Sequence, residues 1–247
     1  VTMKQVGLNV ASDPLMSLEY VGIKGGMVIL VADDPGPISS QTEQDTRHFS
    51  RFSKLPCFDP SSAQEAYEMI QEAFEYSEKY GTPVFLRPTT RVCHGYASIM
   101  VKDETEYTHH QPEGFIKDSK RWVIFPRLSF MNHKKIEARN QELSDIFSSY
   151  EKNTIHPSCD AFKDSKKGIA TGGISYTYTM ETLKKTGMVK TLKIATPHPF
   201  PEKLAVDFLS GLDEVLCLEE LDPVIERELI YICGKYHLPT RINGKLS

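Results

Sequence analysis

The residues best suited to chemistry lie in one polar segment, ADDPGPISSQTEQDTRHFSRFSK, at positions 32–54. Arg47 carries a planar guanidinium that suits a carboxylate or a phosphate. The polar residues just before it include Ser40, Gln41, Gln44 and Asp45. The segment follows an apolar run, so it leaves the carboxyl end of a predicted buried strand, where open α/β sheets bind ligands. Composition alone slightly favours a plainer interpretation, an exposed loop in which contacts between Asp45 and Arg47 contribute little.

Other polar motifs have simpler interpretations. TGGIS at 171–175 lacks the GxGxxG spacing and predicts a tight turn from strand to helix. In LEELDP at 218–223, Asp222 is predicted to cap a helix, and the remaining carboxylates are favourable charges near its N-terminus. His198 between prolines is interpreted as a structural or surface residue rather than a catalyst, and the histidine pair at 109–110 as fortuitous. No GxSxG, HExxH or P-loop motif occurs.

Composition excludes several classes of protein. The 247 residues are 40% hydrophobic and 25% charged with a net charge of −4, which is ordinary for a soluble globular protein. Without a dense Lys/Arg cluster or a membrane-length apolar run, neither nucleic acid nor a membrane is expected as a partner. The five cysteines include no CxxC pair, so we expect no disulfide framework, no metal site and no iron–sulfur cluster held by this chain alone, in a reducing cytoplasm.

Strand-like and helix-like segments alternate, which predicts α/β units with parallel sheets. The strand at 26–34, the helix at 61–81 and the strand at 83–88 form one βαβ pattern, and Ser62 and Glu65 have the spacing of a capping box. An opening helix is predicted between Gly7 and Gly25, beginning or breaking near Pro14, and a largely exposed helix at 133–153. A second unit of alternating strands and helices follows after residue 166.

Several stretches resemble one enzyme family along nearly the whole chain. The most specific are VTMKQVGLNVASDPL and GGMVILVADDPGPISSQTEQDTRHFSRF, followed by EAFEYSEKYGTPVFLRPTTRVCH, GIATGGISYTYTMETL and VLCLEELDPVIERELI. On these motifs the chain is similar to the α subunit of the indolepyruvate ferredoxin oxidoreductases, which depend on thiamine diphosphate. The resemblance implies a partial pyrimidine-binding domain at 1–100, a connector with a helix at 101–165, and a transketolase C-terminal-like α/β domain at 166–247.

The resemblance also implies a reaction for the parent enzyme. Aryl 2-oxoacids such as indolepyruvate would be oxidatively decarboxylated to the aryl acyl-CoA, with ferredoxin as electron acceptor. The implied cofactors are thiamine diphosphate with Mg²⁺ and iron–sulfur clusters, and coenzyme A takes part as well. The implied partners are the remaining domains of the α subunit, a β subunit and ferredoxin, with a homodimer left open. By analogy, a ferredoxin-linked enzyme suggests an anaerobe.

Part of the family pattern is missing from this chain. The family's catalytic glutamate lies upstream of VTMK, and its glycine-rich Mg²⁺–diphosphate motif and cysteine clusters do not occur here. We therefore expect an internal fragment that is inactive alone and contributes no catalytic residue. The resemblance places Arg47 near the substrate carboxylate. The residues expected near the cofactor or a partner domain are Asn9, Ser40, Gln41, Gln44 and Asp45.

Two alternatives stay open. Within the enzyme class, another 2-oxoacid oxidoreductase or a transketolase-like enzyme with a different acceptor would share the fold. From a different class, a non-catalytic α/β assembly or regulatory module would also lack the glutamate and the metal motif. Substrate preference separates the enzymes from one another, and a longer parent chain with a metal motif separates them from the module.

Overall fold

The computed structural model describes residues 1–36, 40–107 and 111–247. A first sheet of parallel strands lies in the N-terminal half, in the order β1-β2-β4-β3. Its strands are β1 (Thr2–Lys4), β2 (Val28–Ala32), β3 (Cys57–Phe58) and β4 (Val84–Leu86). The central strands β2 and β4 are nearly continuous apolar runs because helices cover both faces of the sheet. The predicted strands at 26–34 and 83–88 are therefore confirmed.

The helices of the first unit follow its strands. They are α1 (Gln5–Val21), α2 (Thr46–Ser53), α3 (Ala63–Tyr80) and α4 (Thr90–Cys93). Helix α1 starts directly after β1 and carries Pro14 in its interior, so Pro14 neither begins nor breaks it. It ends at Gly22, whose φ of 74° is accessible to glycine without strain.

Helix α3 confirms the predicted helix at 61–81, although the capping box forms only in part. The Ser62 hydroxyl accepts a hydrogen bond from the Glu65 N–H at 3.2 Å. The Glu65 carboxylate does not return to the Ser62 N–H, because it accepts instead from the N–H and the hydroxyl of Ser61, each at 2.6 Å. Met69 and Ala73 on the same face are fully buried against the sheet.

The connector contains two helices, α5 (Ser119–Trp122) and α6 (Pro126–Phe147). The expectation of a largely exposed helix at 133–153 was wrong in part, because Ile136, Leu143 and Phe147 on one face of α6 are buried. Phe147 packs edge to face on Phe58 at a centroid distance of 5.6 Å. Aromatic contacts of this kind join α6 to the core of the first unit.

A second sheet has the order β5-β7-β6-β8-β9. Its strands are β5 (Thr154–His156), β6 (Lys167–Gly172), β7 (Lys190–Ile194), β8 (Glu214–Leu218) and β9 (Arg241–Asn243). Only the pairing of β5 with β7 is antiparallel in the described part of this sheet. The helices that alternate with these strands are α7 (Gly173–Thr186), α8 (Glu202–Leu209) and α9 (Val224–Tyr236). The predicted second α/β unit is confirmed element by element.

The two sheets meet along the edge strand β3. The Cys57 N–H donates to the His198 carbonyl at 2.7 Å, and the Asp59 N–H donates to the Ala195 carbonyl at 2.8 Å. His198 is half-buried, and burial of its imidazole lowers its pKa to about 3, which suits a structural residue. The connector contributes to both units, since α6 packs on the first and β5 joins the second. The boundaries proposed at residues 100 and 165 stay a prediction.

Candidate functional site at the carboxyl edge of the first sheet

The carboxyl ends of β1, β2 and β4 bring polar side chains together at one edge of the first sheet. Lys4 ends β1, Asp33 and Asp34 follow β2, and Arg87 and Thr90 follow β4. An isolated parallel bridge between Asp33 and Thr89 continues the sheet beyond its regular strands. Ligands of open parallel sheets bind at this edge, so a binding site is expected here.

Asp34 organises the outer part of this edge. Its carboxylate accepts hydrogen bonds from the Lys4 ammonium at 2.7 Å, the Ser40 hydroxyl at 2.6 Å and the Thr90 hydroxyl at 2.6 Å. Burial raises the pKa of Asp34, but the hydrogen bonds from Lys4, Ser40 and Thr90 outweigh it and hold that pKa well below its ordinary range. Asp34 therefore stays ionised near neutral pH and fixes the positions of these groups. We call these four residues the edge cluster.

Behind the edge cluster, Arg87 lies in a buried network of carboxylates. Its Nε donates to Asp33 at 2.6 Å, and its Nη1 contacts both oxygens of Asp59 at 3.3 Å. Its Nη2 lies 3.5 Å from Asp45 and has no hydrogen-bond partner among the described residues. Asp33 also accepts from the N–H and the hydroxyl of Thr46, at 2.8 and 2.6 Å. The network fixes the start of α2 against the ends of β2 and β4.

Arg47 extends this network into the second unit. Its guanidinium contacts both oxygens of Asp45, at 2.6 to 3.1 Å, and donates from Nη1 to Glu219 at 2.7 Å. Its Nη2 also donates to the carbonyls of Glu220 and Asp222, at 2.8 and 2.9 Å. The interpretation of 32–54 as an exposed loop with weak contacts is therefore wrong for Asp45 and Arg47, because Arg47 exposes only 2% of its side chain.

The geometry assigns Arg47 to an inter-domain link. Its acceptors at 219–222 follow β8 in the second sheet. Nothing described tests the predicted contact with a substrate carboxylate, which stays a prediction. We call Asp33, Asp45, Arg47, Asp59, Arg87 and Glu219 the buried charge network.

Glu219 connects Arg47 to the first turn of a helix in the second unit. Its carboxylate receives hydrogen bonds from the N–H groups of Val224, Ile225 and Glu226, at 3.0 to 3.1 Å, in the first turn of α9. Glu219 thus has the capping role that the sequence assigned to Asp222, whose side chain instead pairs with His48 at 3.0 Å near the surface. A carboxylate at a helix N-terminus is favoured by the helix dipole, so Glu219 is stabilised by both α9 and Arg47.

The buried charges shift one another's pKa values in opposite directions. Burial raises the pKa of Asp45, but Arg87 and Arg47 outweigh it and hold that pKa well below its ordinary range. Burial also raises the pKa of Asp59. Because this effect is larger than the opposing attraction of Arg87, the pKa rises to about 6. Burial opposes the charge on both arginines, yet Asp45 beside Arg47 and Asp59 beside Arg87 raise their pKa values. Asp59 is thus the member of this network poised to change charge near neutral pH.

The remaining predicted site residues differ in how exposed they are. Ser40 belongs to the edge cluster, Asn9 is exposed in α1, Gln41 is exposed, and Gln44 is half-buried just before α2. Asp45 is buried, and the expected contacts of these residues with the cofactor or a partner domain stay a prediction. The histidine pair at 109–110 lies outside the described residues.

The sequence analysis missed Asp33, Asp59 and Arg87. Each stands just after a buried strand, in ADD, FDP and LRP, and a charge directly after an apolar strand was the available signal. TGGIS was interpreted correctly as a turn from strand to helix. Gly173 within it has a φ of 51°, and a Cβ there would lie 3.1 Å from an Asp59 oxygen, so glycine lets α7 approach that carboxylate closely.

Over 1–36, 40–107 and 111–247, no group of three or more His, Cys, Asp or Glu side chains is arranged to hold a metal ion. Among the helices in those same ranges, none combines the length and the apolar character that a membrane crossing requires.

No protein-family model matches the chain, but individual relatives do. It is 41% identical over 247 residues to the indolepyruvate oxidoreductase subunit IorA of Methanothermobacter thermautotrophicus, covering 99% of this chain and 39% of that subunit. The IorA subunits of Pyrococcus abyssi and Thermococcus kodakarensis are 39% and 40% identical over 248 residues, each covering 98% of this chain and 38% of the relative. The chain spans less than two fifths of the length of these relatives.

Two solved structures share the fold. The 2-oxoglutarate:ferredoxin oxidoreductase of Magnetococcus marinus superposes with a TM-score of 0.65 at 14% identity, covering 98% of this chain and 49% of that one. A split-gene transketolase, solved as an inactive β4 tetramer, gives a TM-score of 0.54 at 15% identity and covers 98% and 65%. These likenesses confirm the predicted fold class, α/β units with mostly parallel sheets. The IorA matches confirm the family resemblance found in the motifs.

Proposed function

We propose that this chain, which corresponds to a segment of the indolepyruvate oxidoreductase subunit IorA, forms one wall of a thiamine diphosphate site. The enzyme it serves would oxidatively decarboxylate aryl 2-oxoacids, passing the acyl group to coenzyme A and electrons to ferredoxin. The observation that carries the proposal is the edge cluster, which joins the carboxyl ends of β1, β2 and β4 on the ligand-binding side of the sheet.

The proposed role of the buried charge network is to keep this wall rigid. Asp33 and Arg87 join the ends of β2 and β4, and Arg47 joins the start of α2 to the second unit through Glu219. Groups held by several hydrogen bonds need no reorganisation when a ligand arrives, which is the requirement for a precise binding site. Arg47 is then a positioning residue that acts through the elements it joins.

The residues fit one part of the cofactor and not another. Asn9 and Gln41 present exposed amides, and amides supply the donors and acceptors that an aminopyrimidine ring requires. A diphosphate–Mg²⁺ group needs oxygen ligands around the ion, and the described residues provide no such cluster. The proposal therefore assigns the Mg²⁺, diphosphate and iron–sulfur ligands to other parts of the enzyme. When bound, thiamine diphosphate supplies the carbon nucleophile that attacks the 2-oxo group.

Exposed apolar side chains support contact with other parts of a multi-subunit enzyme. Val10 on the outer face of α1 is 85% exposed, and Val6 lies one turn before it. Tyr96 and Met100 just before the connector, and Phe115 and Phe130 within it, are exposed as well. Several large apolar side chains exposed along one segment are typical of surfaces that another protein covers. We assign this surface to the remaining domains and the partner subunit, and assign the enzyme's electron transfer to ferredoxin.

Calorimetric titration of thiamine diphosphate with Mg²⁺ into the full-length subunit, assembled with its partner, tests the proposal. The double variant Asn9→Ala with Gln41→Ala should bind the cofactor at least about fivefold more weakly, because each lost hydrogen bond is worth about 0.5–1.5 kcal/mol. Gln141→Ala, an exposed glutamine on α6, is the control and should change nothing. No binding by the wild-type complex would refute the proposed cofactor. Equal binding by the double variant would refute the proposed wall.

A further inference from the structure

A small groove lies beside α7 on the open face of the second sheet. Its volume is about 290 Å³, and its apolar walls are Ile169, Leu183, Leu218 and the ring of Tyr178. Along β8, Val215 and Cys217 are buried, whereas Leu218 is 36% exposed. Leu218 thus belongs to the face of β8 that forms the floor of the groove.

The hydroxyl groups along the groove do not make it polar. Thr179 donates to the Ser175 carbonyl at 2.8 Å, and Thr182 donates to the Tyr178 carbonyl at 3.0 Å. Threonine hydroxyls in a helix commonly bond the carbonyl four residues earlier, which satisfies them within the helix. The groove therefore favours an apolar group of the size of an aromatic ring.

Arg91 lies next to Tyr178, one of the residues that line this groove. It belongs to α4, the short helix after β4. Its Nη1 donates to the Tyr178 hydroxyl at 3.0 Å, and its guanidinium carbon lies 5.6 Å from the centroid of the Tyr178 ring. Its side chain is 63% exposed, in contrast to the fully enclosed Arg47 and Arg87. A guanidinium held by one ring and one hydroxyl keeps donors directed to solvent, and two such donors suit a carboxylate.

Glu220 limits which anions can reach Arg91. Its carboxylate lies 3.7 Å from the Arg91 Nε, and its Oε2 is buried without a hydrogen-bond partner among the described residues. A ligand with one carboxylate can contact the outer face of the guanidinium, but a second negative group nearby would be repelled by Glu220. Arg91 with Glu220 beside it therefore suits a monocarboxylate better than a dicarboxylate.

We propose that Arg91 and the groove beside Tyr178 bind an aryl monocarboxylate, with the ring in the groove and the carboxylate on the guanidinium. This inference rests on the proposed function, and it assigns selection of aryl 2-oxoacids over dicarboxylic 2-oxoacids to Arg91, Leu218 and Glu220. No covalent step is involved, since the groove only binds and orients the ligand.

Equilibrium binding of indole-3-acetate, a carboxylate that the enzyme cannot decarboxylate as a 2-oxoacid, tests the assignment in the full-length assembled enzyme. Arg91→Met should weaken its binding at least tenfold, and Leu218→Trp, which fills the groove from an exposed position, should abolish it. Glu220→Gln should improve competition by 2-oxoglutarate, which competes poorly with the wild type. Arg127→Met, an exposed arginine on α6, is the matched control and should bind as the wild type does.

Unchanged binding in Arg91→Met, or equal competition by 2-oxoglutarate in the wild type, would overturn the assignment. It would also fail if Leu218→Trp blocked assembly with the partner subunit but left indole-3-acetate binding intact, because the groove would then hold protein. Kinetic measurements distinguish failure of the groove assignment from failure of the proposed function. An enzyme that oxidises indolepyruvate with the same KM in Arg91→Met refutes only the groove. Arg91-dependent binding of indole-3-acetate without oxidation of any 2-oxoacid refutes only the proposed function.

Discussion

Removing the Arg47 guanidinium should lower the free energy of unfolding, because it breaks the link between the two units. In Arg47→Met, Asp45 and Glu219 lose their shared cation while remaining buried. Breaking a buried ion pair from one side costs about 3–5 kcal/mol. The cost here should lie near the lower end, about 3 kcal/mol, because Glu219 keeps three N–H donors of α9 and Asp45 keeps the Asp222 N–H. For a chain of this length that corresponds to a fall in Tm of about 6–12 °C.

Urea unfolding followed by circular dichroism measures this loss. Arg227→Met removes an exposed arginine from α9 and should change the free energy of unfolding by less than about 0.5 kcal/mol. Arg47→Lys should fall between the two, because one ammonium cannot replace a fork that reaches Asp45, Glu219 and the carbonyl of Asp222 together. A loss in Arg47→Met no larger than that in Arg227→Met would refute the inter-domain link.

Three further changes test other parts of the structure. Burial raises the Asp59 pKa from 3.8 to about 6. Between those pH values the folded protein holds a proton that the unfolded chain releases. The Asp59 contribution to stability therefore falls as pH rises through that window. Wild type should therefore lose about 2 kcal/mol relative to Asp59→Asn from pH 4 to 6.5 in urea unfolding, and a constant difference would contradict this. Asn153→Ala should cost about 2–4 kcal/mol, because the buried amide accepts from two N–H groups and donates to Phe147 and Thr196; a calorimetric Tm within 2 °C of wild type would be the opposing result. Gly173→Ala should cost about 1–2 kcal/mol through its left-handed φ alone, whereas Gly234→Ala, which has open space around it, should not destabilise the protein.

The regular elements were predictable because their patterns are local. A continuous apolar run followed by a helical repeat with a Ser62 cap and a Gly81 end specified β2, α3 and β4 to within a few residues. Short elements carried too little pattern, so β3 and α2, with two and eight residues, were not predicted. The buried face of α6 was missed because polar residues interrupt its apolar positions.

The position of the polar cluster at the sheet edge was predictable and its contacts were not. The rule that ligands bind at the carboxyl ends of parallel strands directed attention to the segment after β2, where the edge cluster lies. The partners of Arg47 depend on Glu219, which is 172 residues away in sequence. No local pattern encodes such a contact, so an arginine suited to a substrate carboxylate and one suited to a buried carboxylate look alike in sequence.

The same ambiguity concealed Arg91. In sequence it is one more arginine after a strand, beside Arg87. Only the packing of α4 against α7 shows that Arg87 is enclosed by carboxylates, whereas Arg91 is exposed next to Tyr178. Exposure of a cation is decided by tertiary contacts, and these are the part of the site that composition and spacing leave undetermined.

The most direct test of the account is the coenzyme A-dependent reduction of ferredoxin by the full-length subunit assembled with its partner and supplied with thiamine diphosphate and Mg²⁺. The account predicts turnover with indolepyruvate and phenylpyruvate that stops when thiamine diphosphate is omitted. It also predicts little turnover with 2-oxoglutarate. Absence of ferredoxin reduction with every aryl 2-oxoacid, in an assembled complex that binds the cofactor, would contradict it.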